Sequence, residues 1–189
     1  MNKLYGNIKY LFLKMFIKKG VKTKPGEATQ ASDAKSFYDF KMTANNGKEI
    51  DFSIYKGKKV LVVNVASECG YTPQYKELEQ LHQLYKNKLE VIGFPADNFG
   101  HQEPGSDSDI AHFCEVNFGV TFQLFKKSSV VGDDQNPLYY WLSHKSENGW
   151  NNTPPKWNFC KYLVNEKGEL IKFYSSAVSP MSDEIVKQL

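Results

Sequence analysis

Three cysteines, Cys69, Cys114 and Cys160, are the side chains of this 189-residue sequence best equipped for covalent chemistry. An odd number leaves at least one thiol unpaired within the chain. Three scattered positions suit transient redox chemistry better than a disulfide framework. Cys69 has the most informative surroundings. It lies in the stretch VLVVNVASECGYT at 60–72, where a run of Val and Leu gives way to small and polar residues and then to Thr72 and Pro73. Thr72 is suited to cap a helix and Pro73 to occupy its first position. A thiol delivered by a strand to a helix start has its thiolate favoured by free N–H groups and the positive helix end, and thiolate is the nucleophile. Taken alone, Cys69 reads equally well as a small buried core residue. His82, His101, His112 and His144 show no metal-ligand spacing with cysteine or carboxylate and read as surface residues.

The elements that must position Cys69 follow from the hydrophobic pattern. Continuous apolar character over 60–65 predicts a strand buried on both faces, as in a central parallel sheet. Tyr75, Leu78, Leu81, Leu84 and Tyr85 mark one face of a helix ending near Lys88, and LEVIGFP at 89–95 reads as the next buried strand. Strand, helix, strand makes a right-handed crossover with parallel strands. Cys69 and the loop at 96–105 then share one edge of the sheet, where sites in open α/β sheets form. Upstream, residues 37–54 alternate around Asn45, Asn46 and Gly47 as a hairpin does. Downstream come a helix over 107–117 with Ile110, Phe113 and Cys114 on its apolar side, and a strand region over 120–131 blurred by Lys126 and Lys127. A helix opened by Pro137, a hairpin over 157–175 and a helix near Ser182 complete the order. Alternation along that last hairpin predicts that Cys160 shares a face with Asn158. The sum is an α/β fold, a mixed sheet covered by helices.

Composition sets bounds. A hydrophobic fraction of 41% is ordinary for a globular protein, and a net charge of +3 is too small to imply nucleic acid. All 24 basic residues are lysines, so no guanidinium is present to clamp a substrate carboxylate. Residues 1–20 mix apolar residues with five lysines. Their apolar run is too short for a membrane span, and Lys14 breaks what would be a signal-peptide core. Leu11, Phe12, Met15 and Phe16 fall at helical spacing, which fits a basic amphipathic helix on an anionic membrane surface. A poor secretory signal and a disordered extension are the alternatives. Residues 21–35 read as a flexible linker, and the folded domain as 36–189.

NVASECGYTPQY, GFPADNFGHQEPGS and KWNFCKYLV resemble, in order and spacing, the three signature segments of the glutathione peroxidase family. The similarity covers about 36–189. It implies a thioredoxin-like fold with a central mixed sheet, flanking helices and an added N-terminal β-hairpin. It also implies a catalytic tetrad at Cys69, Gln102, Trp157 and Asn158. Such donors stabilise negative sulfur without quenching it as a charged partner would. Cys114 matches the resolving cysteine of the family's two-cysteine members, although a plain core cysteine is the competing reading. Cys160 is expected to be structural.

What the resemblance implies is a thiol peroxidase reducing hydrogen peroxide and organic or lipid hydroperoxides, without a cofactor or metal. A Cys69 sulfenic acid would be resolved as a Cys69–Cys114 disulfide and recycled by thioredoxin. Glutathione is the poorer reductant, because the arginines with which glutathione-using members hold its carboxylates are missing. The short CEVNFGVTFQLF segment lacks the insertion of tetrameric members, which points to a monomer or weak dimer. A cytoplasmic location is expected, with membrane association through the N-terminal segment and export left open. The alternative class is a non-enzymatic redox-sensing or metal-delivery protein of the same fold. Two departures stand out: Asp97-Asn98 replaces the usual Asn-Gln pair, and Ala96 stands where a cysteine is frequent.

Overall fold

A computed structural model describes residues 20–24 and 35–189. In chain order its strands and helices are β1 (Val21–Thr23), β2 (Lys41–Thr43), β3 (Glu49–Asp51), β4 (Lys59–Val65), α1 (Gln74–Tyr85) and β5 (Leu89–Pro95). There follow α2 (Asp107–Phe118), β6 (Gln123–Leu124), α3 (Pro137–Ser143), α4 (Lys145–Asn148), β7 (Lys161–Val164), β8 (Leu170–Tyr174) and α5 (Asp183–Val186). Six strands form one sheet in the order β1-β8-β7-β4-β5-β6, while β2 and β3 pair as a separate hairpin. The pair β4–β5 is parallel from Lys59 opposite Leu89 to Val65 opposite Pro95, as expected of a strand, helix, strand crossover. On its other side β4 runs antiparallel to β7, so the sheet is mixed.

Alternation along β4 divides the core into two layers. Val60 and Val62 face a layer built with the hairpin side, α3 and the aromatic residues Phe37, Phe52, Phe94, Phe125, Tyr139 and Trp141. Leu61, Val63 and Val65 face the other layer, against Leu78 and Leu81 of α1 and Ile110 of α2. Cys69 and Cys114 belong to this second layer, and Cys160 belongs to the first. Burial on both faces is why β4 reads as a run of apolar residues with Asn64 as its one polar interruption after Lys59.

Several expectations need correction. Val21–Thr23 is an edge strand paired antiparallel with β8, not the start of a linker, because its backbone can complete the open β8 edge despite having no apolar pattern of its own. The expected amphipathic helix at 1–20, except Gly20, and the linker residues 25–34 lie outside the described residues. Thr72 does not cap α1 through its side chain. That helix begins at Gln74 after a run of turns, and the Thr72 hydroxyl is used within the Cys69 loop. The strand expected over 120–131 shrinks to Gln123–Leu124, since only this segment pairs with β5. Residues 157–160 are loop, and the strand begins at Lys161.

Lys161 shows how the second layer is tied together. The side chain is fully buried, and its ammonium donates to Gln74 Oε1 at the start of α1, to Val178 O at 2.6 Å and to Ser176 O at 3.4 Å. Burial pulls its pKa down to about 7, against the nearby Cys160 and Glu77, which push it up. Lys161→Ala leaves buried acceptors without a donor and is expected to cost about 3 kcal/mol. The measurement is the urea midpoint, which should fall with the slope unchanged.

Candidate active site

The Cys69 loop is built from its own backbone. Thr72 Oγ1 accepts from the Cys69 N–H at 3.0 Å and donates to Ala66 O at 2.8 Å, and the Thr72 N–H closes a turn onto Cys69 O at 3.0 Å. This leaves the Tyr71 N–H pointing at the sulfur, 3.4 Å from Cys69 Sγ. The thiol is only 6% exposed. Burial pushes its pKa up, and the Tyr71 N–H, the Trp157 indole and the Asn158 amide pull it back. The expected depression by a helix N-terminus is therefore corrected in net direction. Desolvation outweighs the donors, and α1 starts five residues beyond the sulfur.

Two further loops converge on this thiol. Trp157 and Asn158 come from the segment before β7. The Trp157 Nε1 is buried without a hydrogen-bond partner, and its N–H favours the thiolate form of Cys69. Asn158 Nδ2 donates to Gln102 Oε1 at 3.1 Å, joining the third loop to the cluster. Gln102 is also tied through its backbone, where its carbonyl accepts from the Glu68 N–H at 2.9 Å. All four residues expected of the tetrad thus come together from three separate segments.

What holds the Trp157–Asn158 segment is a residue the sequence reading passed over. Asn64 interrupts the apolar run of β4 and is fully buried. Its Nδ2 donates to Trp157 O at 3.0 Å, and its Oδ1 accepts from the Cys160 N–H at 3.1 Å. Its backbone carbonyl accepts from the Phe159 N–H. Phe159 takes a left-handed conformation, φ 63°, which is uncommon for a residue other than glycine. That turn breaks the alternation expected along 158–160. Asn158 faces Cys69, while Cys160 turns to the opposite layer, 3.5 Å from Ser176 Oγ. A single polar residue in an otherwise apolar strand was the available signal for Asn64.

The 96–105 loop carries its own fixings. Asp97 Oδ1 accepts from the Glu103 N–H at 2.9 Å, and Asn98 Oδ1 accepts from the Val130 N–H at 2.8 Å. The two residues that depart from the family pattern are therefore the loop's anchors. Lys127 Nζ gathers the Glu103, Pro104 and Gly105 carbonyls, at 3.2, 3.4 and 2.6 Å. Glu103 is fully buried facing Ser67, with neither carboxyl oxygen in a close hydrogen bond. Burial raises its pKa to about 7 from an ordinary 4.5.

Cys114 lies in the same layer as Cys69, 1% exposed, on the inner side of α2 as expected. All three cysteines are free thiols. A cleft of about 760 Å³ reaches Cys114 between Asn45, His82, Glu90 and Phe122, and no tetrad residue lines it. Among the described residues, no three His, Cys, Asp or Glu side chains gather as a metal ion would require, and no helix is long and apolar enough to cross a membrane.

Asn64→Ala removes two buried amide contacts and frees the 157–160 segment. We expect a stability loss of about 2–4 kcal/mol and a fall in peroxide reactivity of Cys69 of at least about tenfold, read by denaturant unfolding and single-turnover oxidation. Glu103 gives a pH dependence of defined sign. The folded chain keeps its proton up to about 7, where the unfolded chain has lost it above 4.5, so this group lowers stability as pH rises through that interval. Glu103→Gln should flatten the slope of unfolding free energy between those values.

Comparison with known proteins agrees with this geometry. The sequence model for Glutathione peroxidase matches residues 37–143. The glutathione peroxidase-like peroxiredoxin HYR1 of Saccharomyces cerevisiae is 46% identical over 155 residues, covering 81% of this chain and 95% of its own. The solved apo structure of Trgpx superposes with a TM-score of 0.64 at 38% identity, covering 82% of this chain and 95% of that one. A thioredoxin family thiol:disulfide interchange protein from Chlorobium tepidum shares the fold at 14% identity, TM-score 0.59, covering 85% and 97%. On its thioredoxin-like fold and its sequence, the chain belongs to the glutathione peroxidase family and is a peroxidase.

Proposed function

We propose that the chain is a two-cysteine peroxidase with Cys69 as its peroxidatic residue. The observation that carries this reading is the convergence of three N–H donors, from Tyr71, Trp157 and Asn158, on one buried thiol. The Cys69 thiolate attacks the terminal oxygen of a hydroperoxide, the O–O bond breaks, and water or an alcohol leaves with the proton. Cys69 is left as a sulfenic acid. Donors that stabilise sulfur negative charge also face the charge that builds on the departing oxygen.

Cys114 then attacks the Cys69 sulfur, giving a disulfide and water. Disulfide geometry requires the two Cα atoms to come within roughly 7 Å, so α2 must unwind locally. Its attachment favours this. Ile110 and Cys114 are its only buried side chains, and the helix ends at Gly119 soon after Cys114. A thioredoxin-type dithiol is the reductant this reading favours, with glutathione disfavoured because no arginine is present to hold its carboxylates. The names of the yeast and algal relatives, glutathione peroxidase-like peroxiredoxins, support this assignment. A membrane-surface role for residues 1–20 and a monomeric or weakly dimeric state complete the proposal. Deleting those residues should reduce binding to anionic vesicles.

The test is peptide mapping after one equivalent of hydrogen peroxide. A Cys69–Cys114 disulfide is expected in the wild type and in neither Cys69→Ser nor Cys114→Ser. A Cys69 that oxidises without bridging would refute the role of Cys114, and a Cys69 that stays reduced would refute its own. Trp157→Phe, which keeps an aromatic ring and removes the N–H, should slow Cys69 oxidation by about 100-fold in stopped-flow measurements.

A further inference from the structure

β1 decides at which edge of the sheet the N-terminal segment joins the domain. Val21 pairs with Tyr174 of β8, Tyr174 with Lys161 of β7, and Lys161 with Val63 of β4. That row crosses the sheet at the end where β4 delivers Cys69 and where residues 157–158 lead into β7. At the spacing of paired strands, Val21 lies about 15 Å from Val63 along it. Gly20 is held just beyond the row, its N–H donating to Ser175 Oγ at 2.9 Å and its carbonyl accepting from the Ser175 N–H at 2.8 Å. Lys22 Nζ donates to Thr153 Oγ1 at 2.7 Å, in the loop that runs on to Trp157. Residues 1–19 are therefore attached at the Cys69 edge.

Without β1 they would be attached at the other edge. After residue 35 the chain joins the domain at the β7–β8 turn, where the Phe37 N–H donates to Gly168 O at 3.4 Å and the Tyr38 hydroxyl to Glu166 O at 2.7 Å. The Lys24 N–H donates to Ile171 O at 2.8 Å, and the Lys24 ammonium pairs with Glu169 at 3.5 Å, near that same turn. β1 thus carries the attachment point across the sheet.

The Cys69 edge has the chemistry of a lipid-facing surface. Residues 1–19 bring five lysines among apolar side chains. Lys22 and Lys156 are exposed there, against the exposed carboxylate of Glu68, and Val21 is 40% exposed. Phe99 and Trp157, ring centroids 5.9 Å apart, are half-buried at the same edge. Cations meet anionic headgroups while apolar and aromatic side chains enter the interface.

We propose that β1 orients the molecule on an anionic membrane, setting the Cys69 edge of the sheet against the lipid so that hydroperoxides in the bilayer surface reach the thiol. The proposal rests on the membrane-surface role of residues 1–20 and adds to it the face that meets the lipid.

The experiment places one fluorescent label in the full chain, its three native cysteines replaced by serine. The label sits on His101→Cys, a position 92% exposed at the Cys69 edge, or on Lys167→Cys at the β7–β8 turn. Vesicles of phosphatidylglycerol and phosphatidylcholine carry a quencher in their headgroup region. Quenching of the His101 label should exceed that of the Lys167 label at least about threefold. Lys22→Pro with Lys24→Pro removes the two N–H groups of β1 that face β8 and keeps residues 1–19. That chain should still bind the vesicles but lose the difference between labels, whereas Lys22→Gln with Lys24→Gln, which removes the same charges, should keep it. With the native cysteines restored and no label, the proline variant should oxidise Cys69 with hydrogen peroxide within about twofold of the unaltered rate, and with a phospholipid hydroperoxide in the vesicles at least about fivefold more slowly. Equal quenching of the two labels on bound vesicles, or a difference that survives the prolines, would overturn the orientation. Failure of the unaltered chain to bind the vesicles would instead overturn the membrane role of residues 1–20.

Discussion

Burying a thiol works against the ionisation that makes it reactive, and the architecture around Cys69 answers that conflict. At 6% exposure the sulfur has little water to stabilise a negative charge, so the charge must be met by fixed donors. A cationic partner would stabilise the thiolate more strongly but would also hold it back from attack. Neutral N–H groups from a backbone amide, an indole and a carboxamide lower the penalty while leaving the sulfur free to react. Two constraints set the three donors: the Thr72-closed turn for Tyr71, and the Asn64-clamped segment for Trp157 and Asn158.

The same division into layers that buries the sulfur also sorts the three cysteines. The loop after β4 and the inner side of α2 put Cys69 and Cys114 on one side of the sheet, and the left-handed turn at Phe159 sends Cys160 to the other. Cys160 is thereby separated from Cys69 and Cys114 by the sheet itself. The face shared with Asn158 that alternation predicted for it is not the one it takes. The thin attachment of α2 completes the arrangement, because a helix held by few buried side chains is a segment that can open.

Much of this was legible in the sequence where a single strong physical pattern governs. The apolar runs at 60–65 and 89–95 announced buried parallel strands, and the three motif segments marked Cys69, Gln102, Trp157 and Asn158. Less legible were features that depend on partners distant in the chain. Val21–Thr23 has no strand pattern because its pairing is supplied by β8. Asn64 reads as a flaw in a strand until the loop it holds, nearly a hundred residues later, is in place. Lys127 blurs a strand boundary because its ammonium caps the carbonyls of the Glu103–Gly105 turn. Thr72 carries a helix-cap residue type but serves the thiol's turn, since the Cys69 N–H competes for the same hydroxyl.

The account stands or falls on whether neutral donors set the reactivity of Cys69. The most direct measurement is the titration of the Cys69 thiolate by its ultraviolet absorbance, in a Cys114→Ser, Cys160→Ser chain with and without Asn158→Ala. The account predicts a pKa that climbs by about one unit on loss of the amide, with peroxide reactivity at neutral pH falling in step. A pKa and a reactivity that stay unchanged would contradict it.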